Sequence, residues 1–489
     1  MIAQHNPGRS LRVVAALTVP CLLSAVTAFT AVTGSFVGVA AGAAATFFMW
    51  CAVRWRFGVA AVILAGCTDG FIKLMRGSTP TYFFKDITLL FAVAGLIGAL
   101  ALHTEPFPKR VPWKRLVPWA MLAFFIIALV FLPGASVASN LAGAHNRLFF
   151  SLLMLVAPFY FDSFTRLRNL LVVGIAGITF AALAGVSQSI VPDAWASIST
   201  GHASQMRFWY FGVGADGPEF AHRVYGTLVD PGALGLACAF GFILALVLQT
   251  TWKTGRAKFF GVVAMVSMAA GLIFSGARAG FIGVLAGVFA ICVSMMFSRS
   301  TRKFGRSILF LGLFAIVVAF ALRPSTISRY FSSEGRAYAT ESRYNDIQHV
   351  IDAAPTHPLG MGLNASGGAG NTIQTSDQAM QVDNLYFAYL YTLGWAGIPL
   401  LLGMHLFILS CTLKVYRRAR TIELRLIALG IGGAHISLLV AGAATQGAFD
   451  QAPMAQLFWL LSGAMIFPGR ILESEQILQQ RVPRQGVVV

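Results

Sequence analysis

Asp383 and Asn384, separated by nine residues from Gly394-Trp395-Ala396-Gly397, stand at the far end of a polar stretch that begins near Arg323. An acid at the head of an apolar run has the chemistry of a general base, taking a proton from an attacking hydroxyl. The same position also suits a plain helix N-cap. His357, in His357-Pro358-Leu359-Gly360-Met361-Gly362, is the second candidate base. A histidine before proline in a turn serves equally as a structural hydrogen-bonder.

Four arginines lie at the edges of apolar runs, where an anionic headgroup would meet them: Arg147, Arg223, Arg278 and Arg343. A guanidinium grips phosphate through two parallel hydrogen bonds and does not lose its charge. Arg278 sits in Ser275-Gly276-Ala277-Arg278, a polar break between two apolar runs, where an unpaired charge is costly. Phosphate binding, snorkelling to the interface and pairing with a loop carboxylate all fit that placement. Arg223 precedes Tyr225-Gly226-Thr227 and a helix expected to begin at Pro231, whose open amides would add to its field. Just upstream, Trp209 and Tyr210 suit stacking on sugar faces or an interfacial aromatic belt.

These residues are positioned by a chain whose solvent is lipid. Hydrophobic residues make up 57% and charged residues 11% of 489, with mean hydropathy +0.73. That composition excludes an ordinary soluble domain and leaves one all-α polytopic membrane domain spanning 1–489. Apolar runs predict 12–14 spans, at 11–31, 34–53, 57–72, 84–103, 117–133, 148–161, 168–187, 231–251, 258–276, 279–298, 306–322, 385–411, 426–446 and 454–468. The first is read as an uncleaved span.

With the N-terminus inside, 25 of the 36 lysines and arginines fall on the inner side. This bias predicts cytoplasmic termini, including the tail 468–489, and places the two long loops, 188–230 and 323–384, in the periplasm. The net charge of +18 belongs to these membrane-flanking tracts and does not point to nucleic acid. Six cysteines inside apolar runs, with no metal-ligand spacing, read as packing residues; no metal is expected. No phosphate-cradling or dinucleotide glycine motif appears, so no cofactor is expected.

Within the second loop, Tyr344, Ile347, Val350 and Ile351 recur at helical spacing and predict a short amphipathic helix over 341–354. The glycine-rich turns after it read as mobile, which makes the loop a candidate lid.

Arg223 before Gly226-Thr227, the Ser275–Arg278 break, the loop ending in His357–Gly362 and the closing Asn384–Gly397 pattern together carry a family likeness. The chain resembles the bacterial O-antigen ligase and polysaccharide polymerase superfamily, membrane glycosyltransferases that use polyprenyl-diphosphate-linked sugars. The resemblance implies metal-independent inverting transfer without a cofactor, between an undecaprenyl-diphosphate-linked oligosaccharide donor and its acceptor. Arg223 and Arg278 would hold the diphosphate, Asp383 or His357 would act as base, and Arg147, Arg343, Asn384, Trp209 and Tyr210 would bind substrate. The bilayer, a chain-length regulator and export machinery are the implied partners. Ligases of this family usually carry histidine where Asp383 stands, so the departure favours a polymerase of exopolysaccharide or O-antigen units over a ligase to lipid A core. A flippase for the same lipid-linked glycan is the rival from another class; its mark would be paired repeats and mid-membrane ionisable groups.

Overall fold

A computed structural model of the chain describes residues 36–76, 83–108, 111–131, 136–212, 222–296, 302, 305–306, 310, 344–366 and 382–481. Its helices are α1 Phe36–Val53, α2 Trp55–Cys67, α3 Asp69–Arg76, α4 Phe84–Ala101, α5 Val117–Val130, α6 Val137–Leu148, α7 Leu152–Tyr160, α8 Phe164–Ile190, α9 Pro192–Ile198, α10 Thr200–Gln205, α11 Pro231–Thr251, α12 Gly255–Ser275 and α13 Arg278–Met296. They continue with α14 over 344–353, then α15 Leu385–Leu393, α16 Gly397–Arg418, α17 Ile422–Gly442, α18 Met454–Ile466 and α19 Gly469–Arg481. The all-α membrane class expected from composition is borne out. Among the described residues nine helices are long and apolar enough to cross a membrane, or eleven if two bent pairs each count as a span.

The expected segments 11–31 and nearly all of 306–322 lie outside the described residues; the other expected spans fall on described helices, 57–72 on parts of both α2 and α3 and 385–411 on parts of both α15 and α16. One span needs correction. The expected 148–161 is only the second half of a helical run, Val137–Tyr160, with a 3₁₀ turn at Phe149–Ser151. Arg147 therefore sits buried inside that run, at 9% exposure, and not at a span boundary.

Local chemistry sets the helix starts. Ser136, Ser163, Ser199, Asp230, Thr254 and Thr421 each accept a hydrogen bond from the amide three residues on, satisfying a donor the helix itself leaves open. Two compact units divide the chain. In the smaller, Met1–Gly66 with Ser78–Arg110, α1 packs on α4, Gly95 fits against the Ala52 carbonyl, and Arg56 pairs with Glu105 at 3.0 Å.

In the larger, Cys67–Gly77 with Val111–Val489, α11 is the inner helix, 94% buried and flanked by α12, α13 and α17. Gly280, Gly283 and Gly287 let α13 touch the backbones of α11 and α17, the close approach that replaces hydrophobic driving force in lipid. Outward, Phe124, Phe259 and Phe289 stay exposed, as a bilayer-covered surface requires. The five described cysteines are buried free thiols; Cys21 lies outside the described residues.

Candidate functional site

The first corner forms where α12 ends. Gly276 closes that helix in the left-handed region, at φ 62°, and two residues later Arg278 opens α13. The Arg223 segment straps across this break. Its Nε donates to the Ser275 carbonyl at 3.0 Å, and the Val224 amide donates to the Phe274 carbonyl at 3.2 Å. Glycine serves the left-handed turn, while the Arg223 side chain lies at ordinary contact distance beside it. On its other side the guanidinium lies over the Trp209 ring at 5.5 Å, and the Trp209 carbonyl accepts from the Arg223 amide at 2.9 Å. The structure thus brings Arg223, Trp209 and the Arg278 break together.

The expected anion seat at the start of α11 is corrected. Asp230 already fills it, its Oδ1 accepting from the Ala233 amide at 2.9 Å. Burial raises the Asp230 pKa, opposed by the Ala233 amide, the Arg223 charge and the Gly232 amide. Its Oδ2 accepts from Gln451 Nε2 at 3.4 Å, which links this corner to the next.

The second corner surrounds Arg147. Its Nη1 donates to the Leu363 carbonyl and, at 3.4 Å, to the Gly143 carbonyl; its Nη2 donates to Thr392 Oγ1 at 3.1 Å. The guanidinium overlies the Tyr389 ring at 5.5 Å. Both terminal nitrogens therefore hold protein, tying α6 to the loop at Leu363 and to α15. Asp450, in the turn between α17 and α18, stands in the Arg147 field. Burial pushes its carboxyl up to about 6, with Arg147 pulling the other way. Sequence reasoning passed over Asp450; the available signal was an acid in the short gap between two apolar runs.

The loop carrying His357 is fastened, which corrects the expectation that the turn at 357–364 is mobile. The Met361 amide donates to the Tyr391 carbonyl at 2.8 Å, and the Trp395 amide donates to the Pro358 carbonyl at 3.1 Å. Gly360 and Gly394, at φ 86° and 66°, meet backbone to backbone there, leaving no room for a Cβ on either. Leu363 and Asn364 bond in turn to Asn140 and Ser139 of α6. The glycines at 367, 368 and 370 lie outside the described residues. On α14, Val350 is buried against Ala388 and Tyr391, whereas Tyr344 and Ile351 are 64% and 46% exposed, so the buried face is narrower than the spacing implied.

The remaining candidates divide. Asn384, not Asp383, caps α15, accepting from the Tyr386 and Phe387 amides at 2.9 and 3.2 Å, and it donates to the Ala443 carbonyl at 2.8 Å. The plain N-cap alternative for Asp383 is thereby removed; Asp383 precedes the cap and is partly exposed. His357 is exposed and held locally, its Nδ1 2.9 Å from Thr356 Oγ1 and 3.3 Å from the Ala353 carbonyl. Tyr210 donates to the Ser189 carbonyl at 3.3 Å. Arg343 lies outside the described residues.

Residues 263–402 match the model of the O-antigen ligase family. The match bears out the resemblance to the O-antigen ligase and polymerase superfamily and supports a membrane function of that type. It covers the Arg278 break, α14, the fastened loop and α15, while Arg147, Arg223, Asp230 and Asp450 lie outside it. No curated protein matches the chain.

Proposed function

We propose that the chain is a glycan polymerase of the bacterial cytoplasmic membrane, joining undecaprenyl-diphosphate-linked oligosaccharide repeats into exopolysaccharide or O-antigen at the periplasmic face. The observation that carries this reading is the first corner, where Arg223 is anchored across the helix break that begins with Arg278. Two permanent cations at one break suit a diphosphate. The inward bias of the remaining basic residues supports a periplasmic site and cytoplasmic termini.

In this reading the acceptor hydroxyl oxygen attacks the anomeric carbon of the donor sugar from the face opposite the diphosphate. The new C–O bond forms as the bond to the diphosphate breaks, inverting the centre. The hydroxyl proton passes to a carboxylate, and the polyprenyl diphosphate departs with its charge neutralised by Arg223 and Arg278. The diphosphate already carries the activation, so preorganised charge and alignment suffice and no metal is required. Asp383 is the proposed base. Asp450 is the second reading for that role, favoured by a pKa near 6, close to the optimum for exchanging protons at neutral pH. An acid at 383 in place of the ligases' histidine favours polymerase over ligase.

The test is Arg278→Ala expressed in cells lacking the native gene. The expected result is loss of long polymer and build-up of single lipid-linked repeats on the outer leaflet. Polymer of normal length from a well-expressed variant would remove Arg278 from the mechanism. Build-up on the inner leaflet would indicate a flippase.

A further inference from the structure

Gln188 lies near the end of α8, between Ser187 and Ser189, and is fully buried. A buried amide is costly unless its donors and acceptor are engaged. Gln188 engages both ends on one turn: Oε1 accepts from the Tyr225 amide at 3.0 Å and the Gly226 amide at 2.8 Å, while Nε2 donates to the Gly226 carbonyl at 2.9 Å. That turn begins two residues after Arg223. Its glycine, at φ 62°, backs onto the Ala181 carbonyl of the same helix α8. Gly185, on the same face of α8 one turn before Gln188, gives Val224 and Gly226 room to pack close. A second tether holds the turn from the other side, where the buried His202 Nδ1 lies 3.2 Å from the Tyr225 hydroxyl.

We propose that Gln188 is the positioning residue for Arg223: by fixing the backbone of Tyr225 and Gly226 it sets where the guanidinium presents itself to the donor diphosphate. The inference rests on the proposed donor role of Arg223. Side-chain chemistry explains the choice of residue. An acceptor with two lone pairs and an amide donor in one plane match two N–H groups and one carbonyl. Leucine offers neither, and asparagine, one methylene shorter, does not span the same three groups. Gln188 touches no substrate in this scheme and acts only through Arg223.

The test is a double-mutant cycle on the purified full-length protein, with undecaprenyl diphosphate as the probe and binding as the readout. Arg223→Ala alone tests the donor role, and Gln188→Leu alone and within Arg223→Ala tests the positioning role. Displacing a binding group by about an ångström costs up to about a hundredfold. Gln188→Leu is therefore expected to weaken diphosphate binding by about tenfold to a hundredfold, yet by less than about threefold once Arg223 is already alanine.

Equal, additive losses in both backgrounds would mean that Gln188 is merely structural and would overturn the inference. Unchanged binding in Gln188→Leu, with Arg223→Ala weakened, would overturn it too. Unchanged binding in Arg223→Ala would instead overturn the donor role itself. If Gln188→Leu does not fold, Gln188→Asn, which keeps an amide in the site, enters the same cycle.

Discussion

Arg223 and Arg147 read alike in the sequence, as basic residues beside apolar runs, yet the fold uses them in opposite ways. Arg223 spends its Nε on the end of α12 and rests on Trp209 at a turn between helices. Arg147 turns both terminal nitrogens inward, onto Leu363, Gly143 and Thr392, and closes three segments around itself. The comparison teaches that two arginines in like sequence settings are told apart by the segments they tie together. One corner ties the Arg223 strap to the end of α12, where the proposed diphosphate would bind; the other ties α6 to the loop above α15, with Asp450 in its field.

The sharpest break of that comparison is Arg147→Met. It strands the Leu363 carbonyl and leaves Asp450 without its cation, so a loss of about 3–5 kcal/mol is expected. The readout is thermal unfolding in detergent, and Arg147→Lys is not expected to restore it, because an ammonium lacks the planar fork. A well-folded Arg147→Met that loses only transfer would erase the contrast.

Next come the two carboxylates. Removing a general base costs about 10²–10⁴ in rate, so whichever of Asp383→Asn and Asp450→Asn loses that much names the base. If it is Asp450, wild-type activity should fall as pH drops through about 6, where the carboxylate takes up a proton. The stability sign is opposite. A carboxyl whose folded pKa is raised favours the folded state while protonated, and that contribution fades as pH rises from about 4 through about 6. Asp450→Asn should therefore flatten the pH dependence of unfolding over that window and stabilise the protein at neutral pH.

Arg223→Ala should fold normally and lose about 10²–10³ in transfer, the usual cost of one preorganised charge donor. A variant that instead unfolds would place Arg223 with Arg147. The smallest effect is Asn384→Ala, which removes the α15 cap at a cost of about 1 kcal/mol of stability, read from the shift of the unfolding midpoint, with transfer largely retained. A large loss of transfer would show that Asn384 meets substrate as well as capping the helix.

The spans were legible because long apolar runs leave the chain little choice in lipid. The expected 231–251 and observed Pro231–Thr251 coincide, and Pro231 marked the start. The first half of Val137–Tyr160 was not legible, since Ser139, Asn140, His145, Asn146 and Arg147 read as loop. The distant partners of Ser139, Asn140 and Arg147, namely Asn364, Leu363 and Thr392, are more than two hundred residues away, and no local pattern reports them. The same holds for Gln188, whose partners lie across a long loop, and for Asp450, whose cation comes from α6. Only the match over 263–402 speaks to the candidate corners beyond residue types, and it stops short of Arg223.

The bond from Arg223 to Ser275 has a thermodynamic side. A helix end exposes carbonyls that need donors and carries partial negative charge, and Arg223 supplies both a hydrogen bond and a positive charge to the last turn of α12. Any anion that binds Arg223 is thus linked to that turn: it competes for the same positive charge while locking the side chain in place. Amide exchange at Ile273, Phe274 and Ser275 should therefore change when a diphosphate binds, making the end of one helix a reporter of occupancy.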